Sequence, residues 1–232
     1  MSRDRLAATV LFLTAAAVMF VTAAASEPPS RQRHVEHDEQ ALVELTRLLD
    51  SGERSSWIVE YDYRRTLVGG RTSTARVSHA RGERVRITRD ATSADVMLGS
   101  TGYRCTIVDA EVQCLAVPGR ERPALSTADV VRTVVDLRTY AVARLPDETL
   151  AGERARCFRV VAVRGLLPAL GGESAYCFAD DGVPLRRRVS GPVRIDEWVA
   201  VRVERDPRRE RYEALLRDLA LSAETPAGEA RE

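Results

Sequence analysis

Few side chains in this sequence are of the types that perform nucleophilic or acid–base chemistry. His79 is the only histidine beyond residue 37, so a serine or cysteine nucleophile has few bases to pair with. Glu60 and Asp62 share one face of a predicted strand, as a glycosidase-type carboxylate pair would, but the sequence shows no cleft around them. Serine-hydrolase, zinc-protease, phosphate-loop and dinucleotide-binding motifs are absent from the sequence. We therefore predict no catalytic residue, no cofactor and no enzymatic activity.

The four cysteines are the other reactive side chains, and their spacing favours disulfides over a metal site. Cys105 and Cys114 flank a symmetric hairpin with Asp109-Ala110 as its two-residue turn. They fall on a non-hydrogen-bonded pair, where Cα atoms lie about 4.5 Å apart and a disulfide fits. Cys157 and Cys177 bracket a second pair of predicted strands. We predict bridges 105–114 and 157–177 and no metal site, because the zinc alternative lacks a C-x-x-C pair.

The N-terminus predicts export. Arg3 and Arg5 precede an apolar run over residues 6–25, which ends in an A-x-A pattern suited to signal peptidase. The run is also long enough, at about 30 Å as a helix, to span a bilayer. Residues 1–25 are therefore either a cleaved signal peptide or an N-terminal membrane anchor, and residues 26–36 form a polar tether. In both cases we expect the remaining chain to be extracytoplasmic, where disulfides persist.

Length and composition predict a folded domain without a polyanionic partner. The 232 residues are 44% hydrophobic, enough for a substantial core. Thirty-five basic residues against 34 acidic residues leave a net charge of +1, so we predict no nucleic-acid binding.

Periodicity predicts an α+β domain over residues 37–221. A helix is expected at residues 37–49, an antiparallel meander at 56–117, a second helix at 126–137, further strands at 157–203 and a last helix at 208–221. The links between strands are too short for crossover helices, which favours antiparallel pairing. Residues 222–232 are predicted to be a disordered tail.

Two late segments carry a resemblance to a known family. Residues 157–163 (CFRVVAV) and 176–185 (YCFADDGVPL) resemble a strand pair and D-x-G-x-P turn of exported proteins. With the order of elements, they make the chain similar to the LolA/LppX-type lipoprotein-carrier superfamily over about residues 38–203, although it lacks the lipobox of the mycobacterial members. The resemblance implies a curved antiparallel sheet, or half-barrel, covered by two or three helices, with a hollow that accepts acyl chains.

Apolar residues on alternating strand positions are candidates for the lining of that hollow. Ordinary packed core is the alternative, since any sheet with one buried face needs such a stripe. The apolar loop 165–172, flanked by glycines, is either an entrance flap or a plug folded over the core. The candidate ligand-binding residues are Trp57, Val59, Tyr61, Val85, Ile87, Leu98, Leu166, Leu167 and Trp198.

Two functions are open at this point. The first is an exported, non-catalytic binding module that holds the acyl chain of a lipid or lipopeptide. The second is a membrane-anchored envelope sensor or regulator that binds a protein partner. Basic clusters at residues 186–188 and 202–211 are candidates for contact with a membrane surface, against the simpler interpretation as solvated surface.

Overall fold

The computed structural model describes residues 36–117, 131, 135, 140–163 and 172–221. All of them belong to one compact unit, Val35–Glu232. The predicted signal peptide or anchor, the tether up to residue 35, the loop with Leu166 and Leu167, and the predicted tail 222–232 lie outside the described residues. So does the predicted helix 126–137, apart from Val131 and Val135.

The described strands form one open, curved antiparallel sheet, so the predicted α+β half-barrel is confirmed. Its twelve strands are β1 Trp57–Leu67, β2 Thr72–Arg81, β3 Val85–Arg89, β4 Ser93–Leu98, β5 Thr101–Val108, β6 Glu111–Val117, β7 Tyr140–Arg144, β8 Glu148–Leu150, β9 Glu153–Ala162, β10 Glu173–Phe178, β11 Pro184–Ser190 and β12 Arg194–Arg205. Their order is β6-β5-β4-β3-β2-β1-β12-β11-β10-β9-β7, with β8 paired to β9. The first six strands are the predicted meander.

The first strand lies at the centre of the sheet because it pairs with the last strand as well as with β2. Trp57 faces Arg205, and Tyr63 faces Trp198, along an antiparallel ladder interrupted by one irregularity between Glu60 and Tyr61. The same strand pairs with β2 over nearly its whole length. Strands from both ends of the domain therefore share one continuous face.

Helix α1 (Glu39–Arg54) begins at Asp38, whose carboxylate accepts a 3.0 Å hydrogen bond from the Ala41 amide. Its apolar side, with Leu42, Leu45 and Leu48, is buried, as the sequence pattern predicted. Among the described residues, neither α1 nor the C-terminal helix α2 (Arg209–Arg217) has the length and apolarity needed to span a membrane.

Three clusters of buried side chains form the described core. The first joins α1 to β7, β9 and β10 and includes Val131 and Val135, both helical, from the predicted second helix. The second lies between β1 and the late strands. The third joins β1–β5 to the C-terminal segment, where Leu216 and Leu219 are fully buried. The two ends of the described chain thus cover different parts of the sheet.

Helix α1 ends at Arg54, five residues beyond its predicted end at residue 49, and its last turns include Gly52. Gly52 packs directly on Gly182, in the turn between β10 and β11. A methyl group on Gly182 would overlap the Leu48 carbonyl oxygen and the Gly52 amide nitrogen, and Gly182 has φ +86°. Glycine is required there for close approach as well as for backbone conformation.

We expect Gly182→Ala to lower the free energy of unfolding by about 2–4 kcal/mol, since it adds steric overlap to a strained backbone. Gly152→Ala is the matched control, because Gly152 has φ +80° but nothing within 4 Å of an added Cβ. It should lose only about 1 kcal/mol. Urea denaturation of both variants measures the difference. Equal losses would show that the contact between α1 and the turn adds nothing.

Both predicted disulfides are present. Cys105 and Cys114 are directly opposite on β5 and β6, with Cα atoms 4.0 Å apart. Cys157 and Cys177 are opposite on β9 and β10, with Cα atoms 4.1 Å apart. Two such bridges fit a protein of an extracytoplasmic, oxidising compartment.

Replacing each cysteine pair by alanines should lower the free energy of unfolding by about 2–4 kcal/mol. The loss should be about 0.7 kcal/mol larger for Cys157 and Cys177, because their bridge spans 20 residues of chain against nine for the other bridge. Chemical denaturation of the two double variants measures both values. A free energy of unfolding that neither replacement changes would contradict a stabilising role for the disulfides.

Candidate functional site

An aromatic hollow lies between the C-terminal end of α1 and the sheet. Its volume is about 200 Å³, and β1, β2, β10, β11 and β12 contribute to its walls. Three of the sequence-predicted ligand residues, Trp57, Tyr61 and Trp198, lie in its lining. The other aromatic rings of the lining are those of His79, Tyr176 and Phe178.

The polar atoms of two lining rings are bonded to the backbone. The Trp57 indole N–H donates to the Gly52 carbonyl at 3.1 Å, and the Tyr61 hydroxyl donates to the Pro184 carbonyl at 2.7 Å. Burial raises the pKa of Tyr61, so its hydroxyl stays protonated as a donor. The two rings are therefore held in place, and their apolar surfaces remain as wall.

His79 is neutral at pH 7, and the cation beside it favours that neutral form. Its ring centroid is 4.9 Å from that of Tyr61. Desolvation by burial lowers the pKa of His79 from 6.5 to about 4, and the positive charge of Arg187 is a second, smaller cause. The imidazole thus adds a ring and no charge to the hollow.

Arg187 is the cation at the edge of the hollow. Its guanidinium lies over the Trp198 ring, 5.2 Å from the centroid, and the side chain is exposed. The preceding residue differs: Arg186 is bound by Glu148 at 2.9 Å and by Glu197 at 2.6 Å. Within the part of the chain that the structure describes, Arg187 pairs with no carboxylate, so its charge is available to a ligand.

A buried carboxylate fixes the sheet next to Trp198. Asp196 accepts hydrogen bonds from the Tyr63 hydroxyl at 2.5 Å and from Arg65 Nε at 2.8 Å, and it forms an ion pair with Arg194. Desolvation alone would raise the pKa of Asp196, but these hydrogen bonds outweigh it and lower the pKa. The Tyr63 ring is held 4.9 Å from the Trp198 ring.

The other predicted ligand residues lie elsewhere. Val59 is buried in the second core cluster. Val85, Ile87 and Leu98 belong to the third cluster, which packs against Leu216 and Leu219. Leu166 and Leu167 lie outside the described residues. The structure therefore brings together three of the nine candidates.

The residues of the hollow that sequence reasoning did not identify include three rings and one cation: His79, Tyr176, Phe178 and Arg187. Alternation along β2, β10 and β11 indicates which side of each strand they occupy. The pairing of Tyr176 with Arg187, and of Arg187 with Trp198, depends on the registers of three strands. No signal within a single strand reports those registers.

The described residues offer little for acid–base or metal chemistry. Asp62 is 3.3 Å from Arg76, and Glu60 is 3.9 Å from Arg202, so each predicted carboxylate faces a cation. One described group has three potential metal ligands, Glu148 with Cys157 and Cys177. Its two sulfurs are joined in a disulfide and provide no thiolate.

No protein family matches the chain, and no curated protein matches it in sequence. Solved structures do match in fold. A chain of the MucA/MucB complex of Pseudomonas aeruginosa superposes with a TM-score of 0.51 at 14% identity, over 74% of this chain. This chain spans 60% of the length of that matched chain. The match shows a shared fold.

Other solved structures carry the name of the superfamily that the sequence resembles. A LolA superfamily protein from Nitrosomonas europaea matches with a TM-score of 0.31 at 10% identity, over 72% of this chain and 96% of that one. Lipoprotein LppX of Mycobacterium tuberculosis matches with a TM-score of 0.43 at 12% identity, over 74% and 98% of the two chains. The shared fold rests on the match to the MucA/MucB chain, which has the higher TM-score of 0.51.

Acidification should destabilise the protein through His79. Because its folded pKa of about 4 lies below the unfolded value of 6.5, the unfolded chain takes up the proton first as the pH falls. Stability is therefore lost between about pH 6.5 and pH 4, by about 3 kcal/mol. His79→Phe keeps a ring beside Tyr61 and removes the titration.

Urea denaturation at pH 7 and pH 4 tests this prediction. The free energy of unfolding of the natural protein should fall by about 3 kcal/mol more than that of His79→Phe. Carboxylates titrate in both proteins and cancel in the comparison. Parallel losses would mean that His79 is readily protonated in the folded state.

Proposed function

We propose that this chain is an exported, non-catalytic binding module that holds part of an acyl chain in the aromatic hollow. The observation that carries the proposal is a hollow walled by six rings, two of them fixed by hydrogen bonds to the backbone. The described residues offer few groups for acid–base or metal chemistry, which favours a binding function over catalysis. Lipids and acylated molecules have apolar chains that match the aromatic lining of the hollow.

The size of the hollow defines how much of a ligand it accepts. At about 200 Å³, it is smaller than the roughly 300–1,000 Å³ of sites that enclose a drug-sized molecule. It therefore suits one segment or the end of an acyl chain. Each buried methylene contributes about 0.8 kcal/mol, so several give useful affinity without any polar contact.

Arg187 supports a preference for acyl ligands with an anionic head group. Its exposed guanidinium lies against Trp198, where the hollow meets solvent, and it offers forked donors to phosphate or carboxylate oxygens. His79 stays neutral beside it at pH 7. The positive charge of Arg187 thus lies outside the apolar wall. The tail of such a ligand would contact the aromatic rings, and its head group would contact Arg187.

A protein partner is the second candidate function. The fold match to a chain of the MucA/MucB complex supports it, since that structure is an assembly of two proteins. In this alternative the chain is an envelope sensor or regulator, anchored by residues 1–25 if that segment is uncut. The hollow would then serve as a docking pocket for an apolar side chain of the partner.

Filling the hollow should abolish lipid binding. Leu49 lies in its lining on α1, and Leu49→Trp adds bulk there. Val43→Trp is the matched control, because Val43 lies on the exposed face of the same helix. Native mass spectrometry of residues 30–232, purified from an oxidising compartment, should show lipid mass on the natural sequence and on Val43→Trp. It should show little or none on Leu49→Trp.

Organic extraction should remove that mass and identify the ligand class. Arg187→Gln should retain the bound tail but lose the preference for anionic lipids, because only the head-group contact changes. Bare polypeptide from several expression hosts would contradict the lipid proposal. Equal lipid mass on Leu49→Trp and the natural sequence would place the ligand outside the hollow.

A further inference from the structure

Two hairpin turns meet at the end of β1 farthest from the hollow. The turn between β1 and β2 (residues 68–71) contains Gly69 and Gly70, both with positive φ. The turn between β11 and β12 (residues 191–193) lies beside it. The Val68 amide donates to the Val193 carbonyl at 3.0 Å and joins the two turns. We call residues 67–71 and 191–193 together the paired tip.

The paired tip exposes apolar side chains that the fold does not use. Val68 is 76% exposed, Val193 is 64% exposed and Leu67 is 37% exposed. Turn positions of soluble proteins normally carry polar residues. Three neighbouring apolar side chains at the end of a sheet instead indicate a contact with an apolar medium.

Arginines surround these apolar side chains. Arg64 and Arg71 are exposed and have no carboxylate partner among the described residues, while Arg65 and Arg194 share Asp196. Residues 63–74 and 190–196 together contain these four arginines and a single acidic residue, Asp196. The whole chain, by contrast, has a net charge of only +1. The excess of positive charge is therefore local to the tip.

We propose that the paired tip docks on an anionic membrane surface. Leu67, Val68 and Val193 enter the interface between head groups and acyl chains, and the arginines bind anionic lipid head groups. The observed charge excess is complementary to such a surface. The side chains are short, so the tip contacts the outer part of one leaflet and does not span the membrane.

The geometry of β1 relates the tip to the rest of the domain. Tyr61 in the hollow and Leu67 at the tip are six residues apart on one strand, or roughly 20 Å. Tip insertion would therefore hold the domain end-on, with the hollow above the membrane surface. This docking does not depend on whether the hollow is occupied.

Tryptophan quenching by brominated lipids tests the proposal in the full chain. Val68→Trp places a reporter at the tip, and Leu115→Trp is the matched control, because Leu115 is 75% exposed on the edge strand β6. Both variants are reconstituted in vesicles of brominated phosphatidylcholine with or without phosphatidylglycerol. The emission of Trp57 and Trp198 is subtracted with the unsubstituted chain. This readout reports the tip itself, so binding of residues 6–25 to the vesicles does not produce it.

The reporter at position 68 should lose most of its emission in vesicles that contain phosphatidylglycerol and much less in phosphatidylcholine alone. Adding Arg64→Gln or Arg71→Gln should each lower the ratio of inserted to free tip about fivefold. Arg84→Gln, an exposed arginine in the turn before β3, should leave that ratio unchanged. Val193→Trp provides a second reporter on the other turn.

Three outcomes overturn the proposal. They are an unquenched tip in all vesicles, equal quenching at positions 68 and 115, and quenching that is indifferent to phosphatidylglycerol. A tip that binds a protein partner instead gives the first of these, since the vesicles contain lipid only. Near-ultraviolet circular dichroism confirms that each variant is folded before quenching is measured.

Discussion

Pairing between the first and last strands of the sheet is the interaction on which both proposed sites depend. It places Trp198 against Tyr63 and joins the turn at Val68 to the turn at Val193. The hydrogen bond from Tyr63 to Asp196 connects residues 133 positions apart. Closing so long a loop is entropically unfavourable, and the buried cluster between β1 and the late strands offsets this loss. Without that pairing, the hollow would lack Trp198 beside the residues of β1, and the turns with Val68 and Val193 would not lie together.

Close packing of α1 on the turn between β10 and β11 covers the hollow, and we call this end of α1 its roof. Two glycines let helix and turn meet backbone to backbone, and Asp180 in the same turn binds Arg156, which also binds Glu44 of α1. The Trp57 indole donates to the end of that helix. The wall of the hollow is therefore anchored to the roof. These contacts hold the aromatic rings of Trp57 and Tyr61 in place.

Arginine supplies every side-chain cation apart from histidine, and its surroundings decide what each one does. Arg186 is neutralised by two carboxylates, whereas its neighbour Arg187 lies over an aromatic ring at the edge of the hollow. Arg65 and Arg194 share one buried carboxylate, whereas Arg71 projects into solvent. A chain that is nearly neutral overall thus presents localised positive charge at two places, the edge of the hollow and the paired tip.

The sequence by itself determined the α+β class, the antiparallel meander, the apolar side of α1 and both disulfides, because these depend on local periodicity and on residues close in the chain. It also offered Trp57, Tyr61 and Trp198 as candidate ligand residues, and these three line the hollow. Only the tertiary structure decided that Val85, Ile87 and Leu98 pack under the C-terminal segment, and that His79 and Arg187 join the hollow. It likewise placed Gly52 inside α1, packed directly on Gly182. The physical reason is that alternation reports which side of a strand a residue occupies, whereas strand order and register depend on contacts between distant segments.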